Sequence, residues 1–207
     1  MKKIILVVVL ALCISPIFSM ENYITINMEV PFFFEVSEYY NESQTTMLVG
    51  MGINAIDRLY FSDGLGISAH ISLVYPFSTT TIIENPHYEI FEAHFYDFPS
   101  SIFSFGLGVA YKINSFNIDI GPQIRFLALN NTFADYTNFT MGFYINPSWV
   151  INLSRNFFEF GIMTGVDLYS NSNIKLKIDE MELKYSGGYT MFYFSLYFGI
   201  GFITGKK

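Results

Sequence analysis

Two groups of side chains in this sequence have the types and spacing for chemistry. His70-Ile71-Ser72 sets an imidazole two residues from a hydroxyl. An imidazole within reach of a hydroxyl is what turns serine into a nucleophile. His87, Glu89, Glu92 and His94 fall within eight residues, and nitrogen and carboxylate donors so crowded suit a divalent metal. Neither group is complete. His70 and Ser72 have no acidic orienter assignable from sequence, and the four donors match no metal-binding spacing. The expectation is therefore no catalysis, no metal and no cofactor. A third set is spread along the chain: Glu29, Glu35, His70, Lys112, Asp119, Arg125, Glu159 and Asp167. Its members share one property, the parity of their positions, and parity depends on the elements that carry them.

Those elements alternate with period two, which in a strand sends successive side chains to opposite faces. Eight runs emerge. Ile24 to Val36 sets Ile, Met, Val and Phe against Thr25, Asn27, Glu29 and Glu35; Met47 to Ala55 opposes Gly50, Gly52 and Asn54; Ile67 to Phe77 opposes Ser68, His70 and Ser72. Phe103 to Ile113 opposes glycines and Lys112, and Phe116 to Phe126 opposes Asp119, Gln123 and Arg125. Phe139 to Ile151, Phe158 to Leu168 and Phe192 to Phe202 follow the same rule, with Glu159 and Asp167 on the polar face of the seventh. Pro122 and Pro147 fall on the apolar face inside runs and each removes a ladder bond, so bulges are expected there. The links alternate too. Ile56–Asp63, Asn114-Ser115 and Leu153–Asn156 are short, whereas Ser37–Thr45, Ser78–Ser101, Asn130–Thr137 and Ser170–Gly187 are long. Within the second long link, Asn85 to Phe98 reads either as a helix with Tyr88, Phe91, Phe95 and Phe98 on one face or as an extension of the flanking strands.

Composition agrees with a membrane protein that has no membrane helix. Of 207 residues, 19% are aromatic and only 14% charged, against about 25% charged in ordinary domains. So apolar a chain is not disordered, and a net charge of -7 argues against nucleic acid as a partner. Beyond the start no run of about 18 apolar residues exists. Lys2 and Lys3, an uncharged stretch from Ile4 to Ile14, and Ser15-Pro16-Ile17-Phe18-Ser19 form the three parts of a secretory signal peptide. Cleavage after Ser19 would leave 20–207 as one barrel domain. That domain would have no cysteine, since Cys13 is the only one, and nine basic residues against 18 acidic, or -9.

The apolar face must point outward. The interior of an eight-stranded barrel is just wide enough for ordinary side chains; it cannot hold eight faces of Phe, Ile, Leu, Val and Met. The Gly-, Ser- and Asn-rich face suits a cramped lumen, and closure satisfies the backbone without water. The chain from Tyr23 to Phe202 thus resembles the small eight-stranded outer-membrane barrels of the OmpA, OmpX and OmpW type. The resemblance implies an all-β, antiparallel up-and-down transmembrane barrel behind a cleavable signal peptide. Both termini would face the periplasm and the long loops the exterior. It also implies outer-membrane lipid as one partner and the assembly machinery, through the aromatic strand Tyr193–Phe202, as another. Some lipid-modifying barrel enzymes of this kind carry a His-x-Ser pair.

In that frame the parity-matched charges form a polar network in the lumen. Lys112 and Asp119 are placed to pair beside the Asn114-Ser115 hairpin, and Arg125, Glu35 and Asp167 to cluster toward the long loops. The network reads as a plug or as the lining of a narrow pore for small, even hydrophobic, solutes. The long loops carry Glu38, Glu42, Glu84, Glu89, Glu92, Asp97, Asp135, Asp179, Glu180 and Glu182 against Lys175, Lys177 and Lys184. That makes an acidic outward surface where an extracellular ligand could bind.

Overall fold

The computed structural model describes residues 21–39, 42–61, 64–85, 88–95, 101–130, 134–176, 182–186 and 190–204; at 35–39, 42–44, 46, 79–85, 88–95, 129–130, 134–136, 172–176, 182–186 and 190 the backbone alone is described. The segment 1–19, read from sequence as a signal peptide, lies outside these residues. Period-two alternation becomes ten strands: β1 (Glu21–Tyr39), β2 (Glu42–Tyr60), β3 (Leu65–Asn85), β4 (Tyr88–Phe95), β5 (Ser101–Ile113), β6 (Phe116–Asn130), β7 (Ala134–Leu153), β8 (Asn156–Leu176), β9 (Glu182–Ser186) and β10 (Thr190–Thr204). Eight of them form an antiparallel cylinder in the order β10-β1-β2-β3-β5-β6-β7-β8, closed by β10 against β8. The other two extend it. β4 pairs with the outer part of β3 and β9 with the outer part of β8, so the segment around 88–95 is strand and not helix.

Several barrel strands run to 19–21 residues, about twice what a tilted span needs. Much of what reads as long loop is therefore paired backbone projecting past the membrane. At the other end the turns are tight. Asn114 takes φ 55° and Ser154 φ 66° in the two-residue turns, and Gly64 φ 80° follows β2. Glu21 and Thr204, the first and last described residues, lie at this same short-turn end.

The burial pattern is that of a soluble barrel turned inside out. Ile53, Ile200 and Phe198 are 61–65% exposed on the outer face, while Thr25, Asn54, Arg58, Asn146 and Ser148 are 0% exposed within. Exposed apolar bands of this extent belong in hydrocarbon. Two aromatic ladders bound the band: Phe116, Trp149 and Phe160, with centroids 5.1 and 5.6 Å apart, and Phe103, Phe126 and Phe139, at 6.5 and 5.0 Å. Ten residues of β6 separate Phe116 from Phe126. At about 3.4 Å per residue and a tilt of about 40° this is about 25 Å, the height of a membrane barrel's apolar band.

The prolines do not act as expected. Pairing lapses beside Pro122, between Gly106↔Gln123 and Val109↔Ile120, and beside Pro147, between Ile145↔Thr164 and Ser148↔Gly161. The register is the same on both sides of each lapse, because a missing N–H removes a bond without inserting a residue. Among the described pairings of the cylinder the bulges lie elsewhere, at Val49/Gly50 and Met141/Gly142. Leu168 is the extra residue of the second, and it turns Ser170 into the lumen, where Ser170 bonds Asn138 Oδ1 at 3.0 Å.

Candidate functional site in the barrel lumen

Every strand sends alternate side chains into the bore, so groups far apart in sequence meet there. One of its fully buried residues, toward the short turns, is one the sequence reading omits. Arg58, 0% exposed, contacts Asp119 through Nε (2.9 and 2.8 Å) and Nη2 (2.8 Å), and reaches Glu159 through Nη1 at 2.8 Å. Asn146 donates to Asp119 at 2.9 Å. Tyr197 reaches Asn146 Oδ1 at 2.8 Å and Glu159 Oε1 at 3.1 Å. Read from sequence, the second run ends at Ala55, so Arg58 falls in the link that follows it. Beyond it the polarity inverts, with Ile56 and Tyr60 inward and Asp57 outward. The signal was still present, since parity continued from Gly52 and Asn54 leads straight to Arg58.

This arrangement corrects the expected Lys112–Asp119 pair. Asp119 lies opposite Ala110 and Lys112 opposite Asn117, so the carboxylate sits deeper, where Arg58 takes it from across the bore. Lys112 stays at the mouth, bonded to Tyr23 and 3.2 Å from Glu21, with its ammonium 4.1 Å from the Tyr23 ring centre. Tyr23, Tyr60, Ala110, Val150 and Phe157 pack together just inside it.

Toward the long hairpins Arg125 binds Asp167 at 2.8 Å. Gln123 and Thr140 also donate to that carboxylate, at 3.1 and 2.6 Å. The guanidinium carbon lies 4.1 Å from the Tyr193 ring centre and 5.1 Å from that of Phe33. Glu35, expected in this cluster, has its side chain outside the described residues; its backbone lies opposite Met191 and Thr46. Phe33, Leu48, Val74, Ile102, Leu127 and Met191 belong to one buried apolar cluster on this side.

Between the two arginines lies Glu29, 4% exposed. It accepts from Asn54 at 3.0 Å, from Ser195 at 3.1 Å and from Ser72. Ser72 therefore turns away from His70, and no imidazole–hydroxyl pair forms. His70 stands edge-on to Tyr144, ring centres 4.4 Å apart, and neither of its nitrogens has a hydrogen-bond partner among the described residues. Of the metal candidates, His87 lies outside the described residues, and Glu89, Glu92 and His94 are described by backbone alone.

A closed antiparallel barrel, apolar outside and charged within, defines a small membrane-spanning β-barrel protein. No family model and no curated relative matches the sequence. Among solved structures, the outer membrane protein OprG from Pseudomonas aeruginosa aligns over 91% of this chain and 97% of its own, at 11% identity and a TM-score of 0.52. Neisserial surface protein A covers 86% and 96% at 10% identity with a TM-score of 0.44. A major outer membrane protein of Thermus thermophilus covers 86% and 99% at 11% with 0.43. At such identities the likeness is one of fold: the chain has the architecture of the small eight-stranded outer-membrane barrels.

Proposed function

We propose that the protein is an integral outer-membrane barrel with a structural or surface-interaction role, no catalytic activity, and a lumen closed by its own side chains. The observation that carries this reading is the network across the bore, in which Arg58 joins β2 to β6 and β8 and Arg125 joins β6 to β8. Apolar clusters on either side of it supply further support. The short turns then face the periplasm and the paired hairpins project outward, offering an acidic surface to an extracellular ligand. Lipid contacts the apolar band, and β10, aromatic on alternate positions, is the strand offered to the assembly machinery.

Planar-bilayer recording tests the closed lumen. The expected result is a silent membrane with the wild-type barrel; reproducible single-channel steps, altered by Arg58→Ala, would overturn it. Protease added to intact cells should cut within 78–101 or 170–187, and cleavage confined to the short turns would invert the topology. The second reading is a narrow pore for small solutes. Its support is the set of buried atoms without partners among the described residues, including both His70 nitrogens, Asn117 Nδ2 and Asn138 Nδ2, which enclosed water would satisfy.

A further inference from the structure

Charge in the bore is unevenly balanced. Arg125 and Asp167 offset one another, but among the described residues the remainder of the lumen holds three buried carboxylates, Glu29, Asp119 and Glu159, and one guanidinium, Arg58. Glu29 meets only neutral donors. Asp119 takes Nε and Nη2 of Arg58, leaving Nη1 for Glu159 Oε1. The Tyr197 hydroxyl has a single proton to give. Asn146 turns its amide nitrogen to Asp119, so its carbonyl oxygen faces Tyr197 and takes that proton. His70 offsets nothing, since its nitrogens meet no carboxylate.

A relay of amides then fixes where the deficit is felt. An ionised carboxylate only accepts, so Asn54 presents Nδ2 to Glu29 (3.0 Å) and its oxygen to Asn27, whose Nδ2 donates at 2.7 Å. Asn27 Oδ1 is thereby turned the other way, over Gly199, where a methyl group would collide with it. Gly199 lies between Asn27 on β1 and Glu159 on β8. Asn27 and Glu159 are each 1% exposed, and among the described residues Asn27 Oδ1 and Glu159 Oε2 both lack a donor. The two residues that carry these acceptors thus stand on either side of one without a side chain, in a region short of positive charge. A water molecule would meet the hydrogen-bond need and leave the charge uncompensated; a small cation meets both.

We propose that the lumen binds a monovalent cation of the sodium or potassium class between Glu159 Oε2 and Asn27 Oδ1, over Gly199, with water completing its shell. The site does not depend on whether the barrel conducts. The test is thermal unfolding of the purified barrel in micelles, in sodium, potassium or N-methylglucamine chloride at equal ionic strength. The midpoint should rise by several degrees, saturably, with sodium or potassium, and Glu159→Gln should abolish the dependence. Asn27→Ala keeps the carboxylate and should weaken the apparent affinity about tenfold, about 1.4 kcal/mol. Wild-type crystals grown in rubidium chloride should show anomalous density between the two oxygens, a readout that needs no variant to fold. Identical midpoints in all three salts, or density for water alone, would overturn the proposal and leave the site to a water or to a proton on Glu159.

Discussion

Near the short turns Arg58 holds two carboxylates and, among the described residues, lies over no aromatic face; near the long hairpins Arg125 holds one and lies against two rings. Removing charges from water costs several kcal/mol per ion, repaid only where geometry and extra hydrogen bonds are good. The Arg58 cluster meets that cost chiefly with ionic contacts, joined on the guanidinium side by a long bond to Ser148 Oγ at 3.4 Å, so its carboxylates depend on it. Around Arg125 the work is divided. Asp167 keeps Gln123 and Thr140 as donors, and the guanidinium gains from the faces of Tyr193 and Phe33. The same residue type is thus a keystone at one end of the bore and one member of a group at the other.

Substitutions at the two arginines test that contrast directly. Arg58→Met leaves two buried carboxylates without a cation, Asp119 keeping Asn146 as a neutral donor, and should cost about 3–5 kcal/mol, read from urea unfolding of the barrel in micelles. A loss below about 1 kcal/mol would mean that Asp119 and Glu159 find other partners. Arg125→Met should cost less, about 2 kcal/mol, because neutral donors remain on Asp167; equal losses at the two sites would erase the distinction. At the mouth, Lys112→Ala removes a half-exposed pair with Glu21 and should cost about 0.5 kcal/mol, shrinking as salt is added. Smallest and opposite in sign is Ser154→Gly. Ser154 sits at φ 66°, a conformation glycine adopts freely, so stability should rise by about 0.5 kcal/mol; a loss would mean the Ser154 side chain contributes to the turn.

Legibility differed between the two regions for a physical reason. Arg125 and Asp167 lie within the alternating runs read from sequence, with Ile124 and Phe126 facing lipid on either side of Arg125. Arg58 lies where β2 leaves the hydrocarbon, and there the outer face no longer has to be apolar. Asp57 outside and Ile56 inside disguise a strand that has not ended. The bulge at Leu168 is hidden in the same way, because one extra residue shifts parity without changing composition.

Read alone, the sequence determines the inside and outside of the barrel. Period two assigns each side chain a face, and volume leaves the bulky face no place but lipid. The sequence also places Glu29, Asp119, Glu159 and Asp167 in the bore. What only the tertiary structure decides is who meets whom there. Pairing across a lumen depends on strand stagger and on side chains reaching from opposite walls, and neither leaves a trace in local spacing. That is why Asp119 belongs to Arg58, 61 positions away, and not to Lys112 beside it.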